Sequence, residues 1–291
     1  MLLNPPQVEL HWLRVGHCRH PEWVTITGGA WAPVDFPAYC ALIIHPVAGP
    51  MLYDTGYADH FHHETRTLPN ALYRWITPVQ LAPEQHLSVQ LARLGVEMRD
   101  IKRVLISHFH ADHVAGLRDL PSARFTALDE DVTFCLGHRG LSALRRGLLH
   151  GLLPDDFSQR LDLANARPIV TLDRLWKPFT HGFDLMGDGS LIAVRLPGHS
   201  PAQMGLIAWT VDGPVMLVAD ASWSSRAMRE NRMPSMLARP TMHQWSRYRT
   251  TLRQLHDLTC AHPEIRMLPS HCREAGAAWN ARWHQAPHHH G

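Results

Sequence analysis

The 291-residue chain lacks any apolar run near the 18 residues a membrane span requires; stretches such as 41–44 and 215–219 are only strand-length. It also has little net charge. The 28 Lys and Arg stand against 26 Asp and Glu, and the resulting +2 is too small for a nucleic-acid groove or a polybasic membrane patch. Cysteine is scarce: Cys18, Cys40, Cys135, Cys260 and Cys272 are odd in number and form no CxxC, the pattern of reduced thiols in a cytoplasmic protein. The opening MLLNPPQVELHWLRVGHC has no basic start followed by an apolar stretch, so no secretory signal is expected. Polar low-complexity runs are missing too, and 45% hydrophobic residues supply a large core. Histidine is the residue in excess, with 23 copies. It is the commonest metal ligand, so the question is which histidines act together.

Short apolar runs bounded by Gly, Pro and Asp alternate with helical patterns, which predicts an α/β layer architecture. Strands are expected at 8–15, 39–44, 51–56, 101–106, 123–127, 190–196, 205–210, 214–219 and 265–268, with Asp212-Gly213 a hairpin turn. Helices are expected from Pro83 to Gly95, over 129–136 and over 244–258. A further amphipathic helix is expected across 141–153, with Leu144, Leu148, Leu149 and Leu152 on one face and Arg145 and Arg146 solvated on the other. Strand sets flanking a helical middle predict one domain of two similar halves over 1–291, with insertions at about 58–82 and 137–166.

His108-x-His110-x-Asp112-His113 gathers four metal-capable side chains just past an expected strand. Strict strand alternation would send His113 away from the other three, so a turning loop is required. Such a loop can fill two adjacent metal positions, with donors that suit zinc and also iron or manganese. His199, Asp220 and His271 each follow an expected strand as well, at positions from which they can return to the same sheet edge.

The runs LISHFHADHVAGL, LPGHSP, VADASW and LPSHC, in that order, resemble the metallo-β-lactamase fold superfamily. The resemblance implies a four-layer αβ/βα sandwich with a metal site in the cleft between its halves. It implies a first site of His108, His110 and His199, a second of Asp112, His113 and His271, and Asp220 bridging two zinc ions. Asp54, in Tyr53-Asp54-Thr55-Gly56, would support the metal loop from behind. The implied chemistry is hydrolysis by a zinc-bridging hydroxide, with Asp112 or Asp220 relaying a proton to the leaving group. Within the superfamily the motifs look like those of acyl-homoserine lactonases, which implies a lactone or related carboxylic ester with an apolar portion. Thioester or phosphotriester cleavage on the same site is the nearest alternative. A mononuclear iron centre of the persulfide-dioxygenase type, using His108, His199 and Asp220, is the alternative of a different class.

Three positions depart from the lactonase pattern. Ala202-Gln203 stands where many relatives have Gly-His, Ala219 where they have Gly before the bridging Asp, and Trp223 where lactonases commonly place a Tyr that touches substrate. An indole N–H donates but cannot accept or shuttle a proton. An apolar wall for the substrate is expected from Leu72, Tyr73, Trp75 and Ile76 and from the Leu148 face, with a contact between two copies of the chain, or plain core packing, as the other use of these segments. His60, His62 and His63 read as a solvated loop, His138, His150 and His181 as surface residues or rings satisfied by backbone, and His288–His290 as a terminal tail. Met233 and Met236 read as packing or cleft-rim residues, and Cys272 as a packed thiol.

Overall fold

The computed structural model describes residues 5–283; the His288–His290 tail lies outside the described residues. Thirteen strands among them form two sheets. The first contains β1 (Glu9–Pro21), β2 (Pro33–His45), β3 (Gly49–Tyr53), β4 (Val79–Gln80), β5 (Arg103–Leu105), β6 (Arg124–Ala127) and β7 (Leu161–Leu163), in the order β4-β1-β2-β3-β5-β6-β7. The second contains β8 (Ile169–Thr171), β9 (His181–Asp184), β10 (Leu191–Arg195), β11 (Met204–Thr210), β12 (Gly213–Ala219) and β13 (Arg266–Pro269), in the order β13-β12-β11-β10-β9-β8.

Alternation along the strands builds the layers. In β2, Ala41 and Ile43 face the second sheet while Leu42 faces the helices on the other side; in β12, Val215 and Leu217 face the first sheet and Met216 turns outward. Trp12, Tyr53, Leu206 and Leu217 belong to the core between the sheets. Leu87 and Leu91, from the helix Leu87–Arg93, cover the outer face of the first sheet. Leu252, Leu255 and Leu258, from the helix Trp245–Ala261, cover the second. The result is the four-layer αβ/βα sandwich expected from the motifs. Among the described residues no helix is long and apolar enough to cross a membrane.

The expected helix across 141–153 does not form. A helix runs only over Gly140–Leu144, the chain turns at Gly147 (φ +72°), and a short 3-10 segment follows at His150–Leu152. Leu148 instead bridges to His110 on the metal-motif loop. Leu148, Leu149 and Leu152 are buried and Leu144 partly so, but against the first sheet from a broken path, and burial alone produces the helical spacing.

Candidate metal centre

The chemistry-bearing side chains stand where strands end. The loop after β5 carries Ser107, His108 and His110, and one short helical turn, Ala111–Val114, adds Asp112 and His113. His199 lies four residues after β10, Asp220 directly after β12 and His271 two residues after β13. All seven expected ligands converge. Donor atoms of His108, His110, His199 and Asp220 lie within 4.8 Å of one another, and those of Asp112, His113 and His271 form a second group with the same spacing.

Asp220 faces both groups. Its Oδ2 is 3.2 Å from His199 Nε2, while its Oδ1 is 3.3 Å from His113 Nε2 and 3.2 Å from His271 Nε2. Asp112 Oδ2 is 3.2 Å from His271 Nε2. His110 Nδ1 and His199 Nε2 approach to 2.8 Å.

The outer nitrogens are held from behind, which fixes which nitrogen points inward. His113 Nδ1 is 2.7 Å from Asp54 Oδ2, and Ser107 donates to Asp54 through both its amide (2.8 Å) and its hydroxyl (2.7 Å). His271 Nδ1 donates to the Pro37 carbonyl at 2.7 Å. His199 Nδ1 lies against Met242 Sδ at 3.3 Å, and His108 Nδ1 is 3.0 Å from the Ser107 hydroxyl. The His110 ring donates to the Arg146 carbonyl. Asp54, the support expected from sequence, is wholly buried and holds a left-handed backbone at φ +60°.

The inward atoms fit a cation. His108 Nε2, His113 Nε2 and Asp220 Oδ1 are buried and find no hydrogen-bond partner, a costly arrangement for groups that serve only the fold. Burial pushes His199 down to about 3 and His108 well below the usual imidazole range, which leaves neutral lone pairs. Burial acts in the same direction on His113, yet the charges of Asp112, Asp54 and Asp220 outweigh it and lift the ring to about 10. Asp112 shows the converse: burial would raise its carboxyl, but His113 and His271 hold it at about 2. A field that raises a buried imidazole so far favours positive charge at the centre, and the imidazole and carboxylate donors match borderline divalent metals.

The remaining expected contacts divide. Trp223 Nε1 donates to Asp220 Oδ2 at 2.9 Å, and its ring lies edge-on to His199 at 5.8 Å. Tyr73 is half-buried against Phe61; burial and the charges of Asp112, Cys18 and Asp220 push its hydroxyl well above the usual phenol range, so it is a neutral donor within electrostatic reach of the second group. Leu148 is buried and lines a cavity of about 700 Å³ that opens beside His108, His110 and His199, a volume typical of small-molecule sites. Trp75 is 64% exposed and is not among the residues lining that cavity. Leu72 and Ile76 are exposed with it. His60 pairs with Asp119 at 2.8 Å, on the surface.

Two contributors carry no motif. Asp131 is buried in the cavity wall, where its Oδ1 accepts from the Ala202 amide at 3.3 Å; in sequence it passes for an ordinary acidic residue in the first turn of a helix. Gln203, also buried, donates from Nε2 to the Val218 carbonyl at 3.2 Å and so ties the end of β10–β11 to the strand that delivers Asp220. Gln203 (φ +40°) and Ala219 (φ +45°) both hold left-handed backbone, a conformation that glycine adopts at no steric cost.

A model of the metallo-beta-lactamase superfamily matches residues 33–267, and the chain belongs to that superfamily. The N-acyl homoserine lactonase AttM of Azorhizobium caulinodans is 25% identical over 216 residues, 74% of this chain and 76% of the relative. AttM of Agrobacterium fabrum has the same identity and coverage. Among solved structures, an N-acyl homoserine lactone hydrolase with N-hexanoyl-L-homoserine bound at its catalytic metal center superposes with a TM-score of 0.70 at 16% identity, covering 94% of this chain and 97% of that one. AidC, a dizinc quorum-quenching lactonase, gives a TM-score of 0.63 at 15% identity over 94% and 90% of the two chains. Family and relatives together put the chain among metal-dependent hydrolases.

Proposed function

We propose that the protein is a dinuclear zinc hydrolase that opens a lactone or cleaves a related carboxylic ester of a small molecule. One observation carries this reading: Asp220 turns one oxygen toward His199 and the other toward His113 and His271, the posture of a carboxylate shared by two ions. His108, His110 and His199 would hold one ion, Asp112, His113 and His271 the other. Bound zinc supplies hydroxide at neutral pH and a Lewis acid for the carbonyl.

The chain's own residues do the rest. Asp54, Pro37 and Arg146 keep the three rings they bind from rotating, and Asp112 and Asp220 are the carboxylates placed to take a proton and return it to the leaving oxygen. Trp223 holds Asp220 by donation, so a hydroxyl contact to substrate falls to another residue, and Tyr73 is the neutral phenol on that side. The five free cysteines support action in the reducing cytoplasm.

Metal quantification on purified protein, followed by hydrolysis assays with lactones, aryl esters, thioesters and phosphotriesters, tests the proposal. Two zinc equivalents with lactone or ester turnover are expected. Inert lactones and esters beside an active thioester or phosphotriester would replace the substrate class. A single iron with oxygen consumption on a persulfide would replace the reaction.

A further inference from the structure

The cavity beside His108, His110 and His199 carries two arginines in its wall. Arg145 and Arg146 line it from the turn that replaces the expected helix, and His138 and His243 line it beside Phe134. The His138 and His243 rings lie 4.6 Å and 4.9 Å from the Phe134 ring, and the Arg146 guanidinium carbon is 6.0 Å from it. Among the described residues neither Arg145 nor Arg146 forms an ion pair; Arg146 donates only to the Ser142 carbonyl (2.9 Å) and hydroxyl (3.0 Å). The one carboxylate in the lining, Asp131, is buried in the wall and bonded to the Ala202 amide. The whole chain carries only +2, so this wall is a local concentration of positive charge.

An acyl tail would gain nothing from two unpaired guanidinium groups, whereas an anion gains attraction focused by the cavity walls. A planar guanidinium also matches a carboxylate through paired hydrogen bonds. Resting on the hydrolase reading above, we propose that the substrate carries a carboxylate apart from its scissile bond, held by Arg145 and Arg146. These arginines are specificity determinants, cavity-lining residues that meet the substrate's charged end.

The test uses two γ-lactones whose side chains end in a carboxylate or in the isosteric carboxamide, assayed on the zinc-loaded full chain. The wild type is expected to favour the carboxylate by about tenfold in kcat/KM, mainly through KM, with the preference shrinking as salt rises. In an Arg145→Gln, Arg146→Gln double variant the ratio should fall to about one, because the anion loses both partners. Equal turnover of the two lactones by the wild type would overturn the carboxylate site while leaving the hydrolase reading intact. If neither lactone opens, the lactonase reading fails, and calorimetric titration with the same two compounds decides the site. Binding of the carboxylate alone, lost in the double variant, supports it; equal or no binding overturns it.

Discussion

Asp54 and His113 are joined at 2.7 Å across the back of the metal-motif loop, and the carboxylate that makes this bond sits in left-handed backbone. Asn tolerates that backbone, so Asp54→Asn removes the charge without changing the turn. Loss of such a support costs metal affinity by about 10- to 100-fold. The expected result is weaker zinc retention by the Asp112, His113 and His271 group in chelator competition, with the far-ultraviolet circular dichroism unchanged. Equal retention by variant and wild type would remove Asp54 from the metal centre.

Asp220→Ala deletes the side chain whose two oxygens face the two groups of donors. Zinc content should fall below two equivalents and turnover by at least about a thousandfold, the scale at which a unit that binds and activates together is lost. Full metal content with wild-type turnover contradicts the bridging assignment.

Gly147 is confined by two independent facts. Its φ is +72°, and a Cβ there would lie 2.8 Å from His110 Cδ2 and 3.1 Å from Nε2. Gly147→Ala should therefore displace the imidazole as well as strain the turn, by about 1 kcal/mol or more for the backbone alone. Activity should drop more than thermal stability does. A variant that lost stability and kept its kcat per bound metal would show the turn to be merely structural.

Burial raises the Asp131 carboxyl to about 7. Because the folded value lies above the ordinary value near 4, the folded chain binds this proton more tightly than the unfolded one, and stability declines as pH rises from about 4 to about 7, then levels off. Asp131→Asn abolishes that contribution. Comparing urea midpoints of the two proteins, we expect the variant to gain about 2 kcal/mol on the wild type between pH 5 and 7.5. Parallel curves would mean that the carboxyl is ionised in the folded protein throughout.

What could be read from sequence follows from how local each signal is. His108, His110, Asp112 and His113 are neighbours in the chain, and His199, Asp220 and His271 each follow a short apolar run that buries as a strand, so strand ends alone bring them together. The 141–153 segment was misread because leucines packed from a broken path have the same spacing as a helical stripe, and Gly147 was the sign of the break. Arg145 and Arg146, read as a solvated helix face, are exposed as expected, but they stand on a turn that also lines the cavity. Trp75 was expected in the substrate wall on apolar character alone, which does not say which way a short helix turns. Asp131 gave no signal because its partner, the Ala202 amide, lies 71 residues away, and Gln203 stood out only as a departure from the lactonase pattern, its bond to the Val218 carbonyl being a matter of the fold.

The turn at residues 145–148 gives its side chains to the cavity and its backbone to His110. Selectivity can therefore be retuned by exchanging the two arginines, a change that leaves the carbonyl in place. Lengthening or shortening the same turn would alter the grip on a metal-facing ring at the same time. A designer seeking new substrates should vary the letters of this turn and keep its count.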